Sequence, residues 1–401
     1  MTNSLYMTAE EAAEFLGVSV ATLYAYVKRK GIRTQKLPGS RVSHYWREDV
    51  ERAKLRPSSK LAQTTHAGLV HQTAITAITE GGPYYRGRSA IALSADHTLE
   101  SVAALLWETD EARVFPPTPP QAPEILRKLW PIVEGYTAID KASAAFPIIE
   151  RANPRAYDLS PSGYTRTAGE LMRWFAAMMV GRAAPSAEPL HEVVASRSDD
   201  PGVYGDLVRR LLVLSADHEL DPTTYAARAV ANSGATPYRI ALGGFSAALG
   251  RRVAFGRIEA LNRFLDEVSA SSAPEDVVLA RLRDGEALPG FGSQRYPDGD
   301  PRAASLLAAM DRALDGDRDL AKLKAVFEVV AEATGAAPDF SLANLYLGKR
   351  LNLSGQDGIV LRLGRIAGWI AHAMEQFHDI PLIRPRAAYV GLLPESAKDG
   401  D

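Results

Sequence analysis

LLVLSADHELDPTTYAARAVAN, residues 211–232, begins inside an apolar helical run, GDLVRRLLVLSAD at 205–217, and breaks into a charged segment around His218. Taken singly, His218 reads as a solvated loop histidine. Outward from it, one helical run follows another: EILRKLWPIVEGY at 124–136, AGELMRWFAAMMVGR at 168–182, AASLLAAMDRAL at 303–314, LAKLKAVFEVVAEA at 320–333 and GIVLRLGRIAGWIAHAMEQF at 358–377. Few segments alternate with a period of two, so the body is mainly α. VFPPTPPQAP, residues 114–123, holds too many prolines for a helix and predicts a loop between two of them.

With 401 residues, 46% of them hydrophobic, the chain can bury the cores of two or three domains. A formal charge of -2 leaves any nucleic-acid contact to a local basic patch. The absence of cysteine excludes disulfides and thiolate metal ligands, and no metal site is expected. No stretch approaches the roughly 18 uninterrupted apolar residues of a membrane span. The N-terminal MTNSLYMTAEE carries acid where a signal peptide is basic and then apolar. These features read as a cytoplasmic chain without a membrane partner.

Residues 8–33 predict two short helices. Thr8 with Glu11 forms a capping box, Gly17 closes the first helix and Ser19 caps the second. In the second, Val20, Leu23 and Val27 share a face and leave Thr22, Tyr24, Lys28 and Arg29 largely elsewhere. Two helices joined by a tight glycine turn make a helix-turn-helix. Pro38-Gly39 then predicts a hairpin turn, and a third helix is expected from Arg47 or Glu48. The order resembles the winged module of MerR-like and excisionase-like DNA-binding proteins. Residues 1–60 hold 11 Lys or Arg against 6 Asp or Glu. Candidate DNA contacts are Thr22, Tyr24, Lys28, Arg29 and Arg41; the competing reading is a packing or dimerisation appendage. A linker over 56–64 separates a module at 1–58 from a body at 65–392.

In the body, 211–232 closely resembles the citrate synthase segment whose histidine binds oxaloacetate, here His218. PGFGSQRYPDGDPRA at 289–303 resembles that family's GFGHxxYxxxDPRA motif, whose last arginine, here Arg302, holds a carboxylate. PDFSLANLYLG at 338–348 matches the region of the catalytic aspartate, which gives Asp339. GRIAGWIAHAMEQF at 364–377 and IRPRAAYVG at 383–391 match the arginine segments, which gives Arg365 and Arg384, and 81–107 resembles an N-terminal YRG signature. These matches, in order across about 65–392, imply the citrate-synthase-type fold, with a large helical domain and a small one inserted around 225–335. Citrate synthases with a preceding helix-turn-helix form a bacterial subgroup. Taken alone, Asp339 reads as a helix cap and Arg365 as a snorkelling surface arginine.

The resemblance implies condensation of an acyl-CoA with oxaloacetate or another dicarboxylic 2-oxo acid, in a homodimer. Acyl-CoA is a co-substrate, and no cofactor is held permanently. A carboxylate base removes the weakly acidic proton beside the thioester only if donors stabilise the enolate and polarise the ketone. The family uses two histidines for this. Here the GPxHGGA loop aligns with GRRVAFG at 250–256, which puts Val253 at one histidine position, and Ser293 replaces the other. Losing one such donor costs roughly 100- to 1,000-fold in rate, so ordinary citrate synthesis is expected to be impaired or altered. Arg251, Arg252 and Arg295 enter beside these positions, as substitute donors, as contacts for an extra anionic group, or as relaxed surface residues. Three readings follow: an enzyme of altered specificity built on Asp339 and Ser293, a metabolite-sensing DNA-binding regulator, and an inactive partner subunit of an active citrate synthase.

Overall fold

The computed structural model describes residues 6–30, 32, 34–36, 42–46, 50, 72–250, 256–353, 356–380 and 382–384. The chain divides into two compact units, Met1–Gln72 and Thr73–Asp401.

In the first unit, β1 (Tyr6–Met7), α1 (Ala9–Leu16), α2 (Val20–Lys30), β2 (Thr34–Lys36) and β3 (Ser43–Trp46) follow in order, and the strands form an antiparallel sheet β1-β3-β2. The capping box is present: the Glu11 amide donates to Thr8 Oγ1 and the Thr8 amide to Glu11 Oε2. Gly17 ends α1 at φ 67, a left-handed conformation that glycine adopts without penalty. The Thr22 amide donates to Ser19 Oγ, which caps α2. Leu23 and Tyr45 are buried with Ala12, Ala13, Ile32 and Val50. β2 and β3 pair from Thr34 against Tyr45 to Lys36 against Ser43. The Pro38-Gly39 turn, the wing it would form and the start of the helix expected from Arg47 or Glu48 lie outside the described residues.

The second unit opens on β4 (Thr76–Thr79), β5 (Gly82–Tyr85) and β6 (Arg88–Ser89), an antiparallel meander. Helices follow: α3 (Ala90–Asp96), α4 (Leu99–Leu106), α5 (Glu111–Val114), α6 (Glu124–Val133), α7 (Ala138–Ala152), α8 (Pro161–Met179), α9 (Leu190–Ala195), α10 (Pro201–Leu214) and α11 (Pro222–Ala231). Next come α12 (Pro237–Ala248), α13 (Gly256–Ala270), α14 (Pro274–Arg283), α15 (Pro301–Ala313), α16 (Arg318–Thr334), α17 (Phe340–Lys349) and α18 (Val360–Met374). The proline-rich segment expected as a loop runs between α5 and α6.

Helix α18 is the axis of this unit. It packs against α4, α8, α10, α11, α12 and α17, and every residue from Leu363 to Ala373 is buried. A helix buried on all sides in this way belongs inside a core. Two glycines set how near α10 can come: a Cβ on Gly364 would fall 2.1 Å from Ser215 Oγ, and one on Gly368 2.2 Å from Asp217 Oδ1. The Gly368 amide donates to the Ala216 carbonyl at 2.9 Å, which locks the end of α10 to α18. Helices α13, α14 and α16 pack on one another.

Candidate active site

The YRG signature is a hairpin turn. Arg86 and Gly87 both have positive φ, 47 and 80, between β5 and β6, the backbone a two-residue type I′ turn requires. The turn sends Tyr85 inward, where its hydroxyl lies 3.1 Å from the Val213 carbonyl, 3.2 Å from the Asp217 carbonyl and 3.3 Å from the Asp217 amide. It therefore fixes the backbone just before His218.

Asp217 is fully buried and faces two bases. His372 Nε2 lies 3.2 Å from Asp217 Oδ2, and Arg228 Nη1 donates to His372 Nδ1 at 3.1 Å, which leaves the imidazole proton on Nε2. Arg228 also pairs with Glu375 at 2.6 Å. Burial alone would raise the Asp217 carboxyl, but His372 and Arg365 hold it down at about 2. Arg365 donates to Asp221, and to Thr224 Oγ1 at 2.8 Å, while its Nη1 lies 3.7 Å from Asp217 Oδ1. Asp221 also caps α11, accepting from the Thr223 and Thr224 amides. Arg365 thus does not snorkel to the surface. It is buried, with two carboxylates beside it.

His218 Nε2 lies 3.0 Å from the Tyr296 hydroxyl. Burial, then the Arg302 and Arg365 charges, push His218 down to about 2, so it is neutral across the physiological range. Arg302 forms a two-point ion pair with Asp300, Nε to Oδ1 at 3.0 Å and Nη2 to Oδ2 at 2.7 Å. Its guanidinium stacks 4.5 Å from the Phe340 ring centre and 5.6 Å from that of Tyr296.

Asp339 precedes Phe340 and caps α17, accepting from the Leu342 amide at 2.9 Å. Its own amide donates to the Gly290 carbonyl at 2.8 Å, and the Gly292 amide donates to the Ala337 carbonyl at 2.9 Å. These two bonds join 290–292 to 337–339 as an antiparallel bridge. Ser293 follows directly; its Oγ accepts from the Arg295 and Tyr296 amides at 3.2 and 3.3 Å.

Five sequence-expected residues, Asp339, Ser293, His218, Arg302 and Arg365, are therefore linked through shared neighbours. Arg295 is exposed and pairs with Glu219 at 2.5 Å, one residue from His218. Arg384 is also exposed and follows Ile383, whose backbone is clipped to Asn232; no contact within the chain brings it to the cluster among the described residues. Val253, Arg251 and Arg252 lie outside the described residues. In the first unit, Thr22 and Tyr24 are exposed, with the Thr22 and Ser19 hydroxyls 2.8 Å apart. Lys28 and Arg29 fall within α2, but their side chains, like Arg41, lie outside the described residues. Sequence reasoning missed Asp217, Asp221, His372 and Tyr296. The first two flank His218 in the quoted stretch, a charge density that could have signalled them.

Comparison with known proteins agrees with this geometry. The family described as "Citrate synthase, C-terminal domain" matches residues 132–386, and "Helix-turn-helix domain" matches 6–52. A 2-methylcitrate synthase of Mycobacterium tuberculosis is 31% identical over 185 residues, 45% of this chain and 47% of that protein. The chain spans about half the length of the curated relatives it matches. The crystal structure of citrate synthase from Pyrobaculum aerophilum superposes with a TM-score of 0.65 at 19% identity, covering 80% of this chain and 90% of that one. The Thermoplasma acidophilum citrate synthase in ternary complex with carboxymethyl coenzyme A and oxaloacetate gives 0.63 at 20% identity, covering 81% and 95%. At these identities the superpositions speak for the fold, and the family match, spanning more than half the chain, decides membership: this chain belongs to the citrate synthase family and carries a helix-turn-helix domain ahead of its citrate synthase body.

Proposed function

We propose that the second unit condenses an acyl-CoA with a dicarboxylic 2-oxo acid, more slowly than a site with two imidazole donors would. The carrying observation is the bridge between 290–292 and 337–339, which keeps Asp339 next to the Arg302–Phe340 stack and Ser293 on the adjoining loop. In this reading Asp339 removes the proton beside the thioester. The resulting carbon nucleophile attacks the ketone, and the ketone oxygen takes up a proton. Water then cleaves the new thioester and releases the CoA thiol.

Ser293 supports this reading because its Oγ already accepts from two amides, which aligns the hydroxyl proton toward another acceptor. His218 is kept neutral, and burial keeps the Tyr296 phenol protonated. In this reading Tyr296 donates to Nε2, which leaves the imidazole proton on Nδ1 for the ketone oxygen. Two neutral donors fixed in advance are the kind of group that stabilises a developing oxyanion. By family resemblance, Arg384 would act in a homodimer.

The test is a thiol-release assay with acetyl-CoA or propionyl-CoA and oxaloacetate. CoA release that needs both substrates and disappears in Asp339→Asn supports the reading. No release in the presence of measurable oxaloacetate binding would sink it in favour of a metabolite-responsive DNA-binding regulator, for which the helix-turn-helix match at 6–52 is the motivating observation. That second reading requires DNA affinity of the full chain to change when oxaloacetate or acyl-CoA is added.

A further inference from the structure

The turn that carries His218 and the turn that carries Ser293 meet through two consecutive pairs. The Tyr296 hydroxyl lies 3.0 Å from His218 Nε2. The residue before Tyr296, Arg295, donates at 2.5 Å to the residue after His218, Glu219, and there both side chains are about half exposed. Each turn is also closed by a side chain of its own. Ser293 Oγ accepts from the Arg295 and Tyr296 amides, so 293–296 holds together as one unit. On the facing side Asp217 Oδ2 accepts from the Glu219 amide at 3.2 Å, with Glu219 at φ 59. A left-handed backbone angle is unfavourable for a residue with a Cβ and persists where the surroundings hold it. Here Asp217 holds the amide and Arg295 the carboxylate.

The inner pair joins His218 to the tyrosine of the GFGHxxYxxxDPRA pattern. The outer pair does not come from that pattern, which leaves position 295 open. Serine at 293 gives the outer pair its importance. A hydroxyl one carbon from the backbone reaches less far than an imidazole, so its aim follows the turn beneath it. Resting on the condensing-enzyme reading above, we propose that Arg295 and Glu219 are positioning residues: their ion pair pins the Ser293 turn to the His218 turn and so aims the Ser293 hydroxyl. Arg295 acts through Ser293 and does not touch substrate. Because the pair is exposed, salt screens it, and turnover falls as ionic strength rises.

The experiment measures thiol release by the full-length protein with acetyl-CoA or propionyl-CoA and oxaloacetate, beside amide hydrogen exchange of 293–296 without substrate. Arg295→Gln should lower kcat by about 2- to 5-fold at low salt, the scale of an exposed ion pair, with little change in KM. Arg295→Lys, which keeps the charge, should retain most of the rate. At an ionic strength of about 1 M the parent should fall to the rate of Arg295→Gln, which itself should change little. In a Ser293→Ala background Arg295→Gln should have no further effect on kcat. Exchange of the Arg295 and Tyr296 amides should be faster in Arg295→Gln than in the parent. Equal exchange, a loss confined to KM, or a loss of kcat that persists in the Ser293→Ala background would each overturn the proposal and leave the condensing-enzyme reading standing. Absence of turnover in the unsubstituted protein would overturn that reading, and the exchange measurement would still decide whether the pair pins the turn.

Discussion

The Asp339 amide donates to the Gly290 carbonyl at 2.8 Å, and this bond ties the proposed base to the loop that carries Ser293. Gly290 is at φ 86, and a Cβ there would lie 2.8 Å from Leu261 Cδ1 and 3.0 Å from Leu342 Cβ. Gly290→Ala is therefore expected to cost about 2 kcal/mol, from overpacking and from an unfavourable backbone angle. Urea denaturation measures it, and a midpoint equal to the parent's would mean that the loop yields without strain.

The two sides of the bridge should separate in kinetics. Asp339→Asn removes the base and is expected to lower turnover by at least about 100-fold, the lower end of general-base contributions. Ser293→Ala removes a donor, and should lower kcat by about 100-fold with a small change in KM if its hydroxyl acts in the transition state. A change confined to KM would assign Ser293 to ground-state binding.

His372 sits between Asp217 and Arg228 with no exposure. Replacing it with leucine keeps an apolar volume but takes one hydrogen-bond partner from a buried carboxylate and one from a buried guanidinium, at a cost of about 3 kcal/mol. The expected outcome is a large fall in urea midpoint together with weaker oxaloacetate binding, since Asp217 also faces Arg365. A fall in stability with unchanged binding would uncouple the network from the cradle.

Acid should destabilise the second unit through His218. Its folded pKa of about 2 lies below the unfolded value of about 6.5, so from the higher value downward the unfolded chain binds a proton that the folded chain refuses. The associated stability is intact above about pH 6.5 and declines as pH falls. Between about pH 7.5 and about pH 5.5 the decline is about 1.4 kcal/mol. Asp217 is also depressed, but its window, from about 3.8 to about 2, begins lower. Comparing urea midpoints at the two higher pH values, His218→Gln should show a flatter dependence than the parent. Parallel slopes would mean that His218 takes up its proton while folded.

Local signals in the chain are faithful guides to local structure here. The Thr8–Glu11 capping box, the Gly17 stop, the Ser19 cap and the proline-rich loop are as the sequence implies, because each depends on residues a turn or less apart. What the periodicity of 358–377 could not say is what Arg365 faces. Its partners Asp217 and Asp221 lie about 150 residues earlier, and they meet it only because Gly364 and Gly368 admit the end of α10. The motif around His218 pointed to the cradle.

Helix α18, packed on all sides, also constrains how this site can change. A helix on the surface can roll by some degrees and carry its side chains to new partners; this one is keyed against α10 by two glycines and has no rotational play. Its residues behave like marks on a fixed dial, with Arg365 and His372 set at permanent bearings around the cradle. New substrate preferences along this wall must come from exchanging the side chain at a bearing, because the dial itself does not turn.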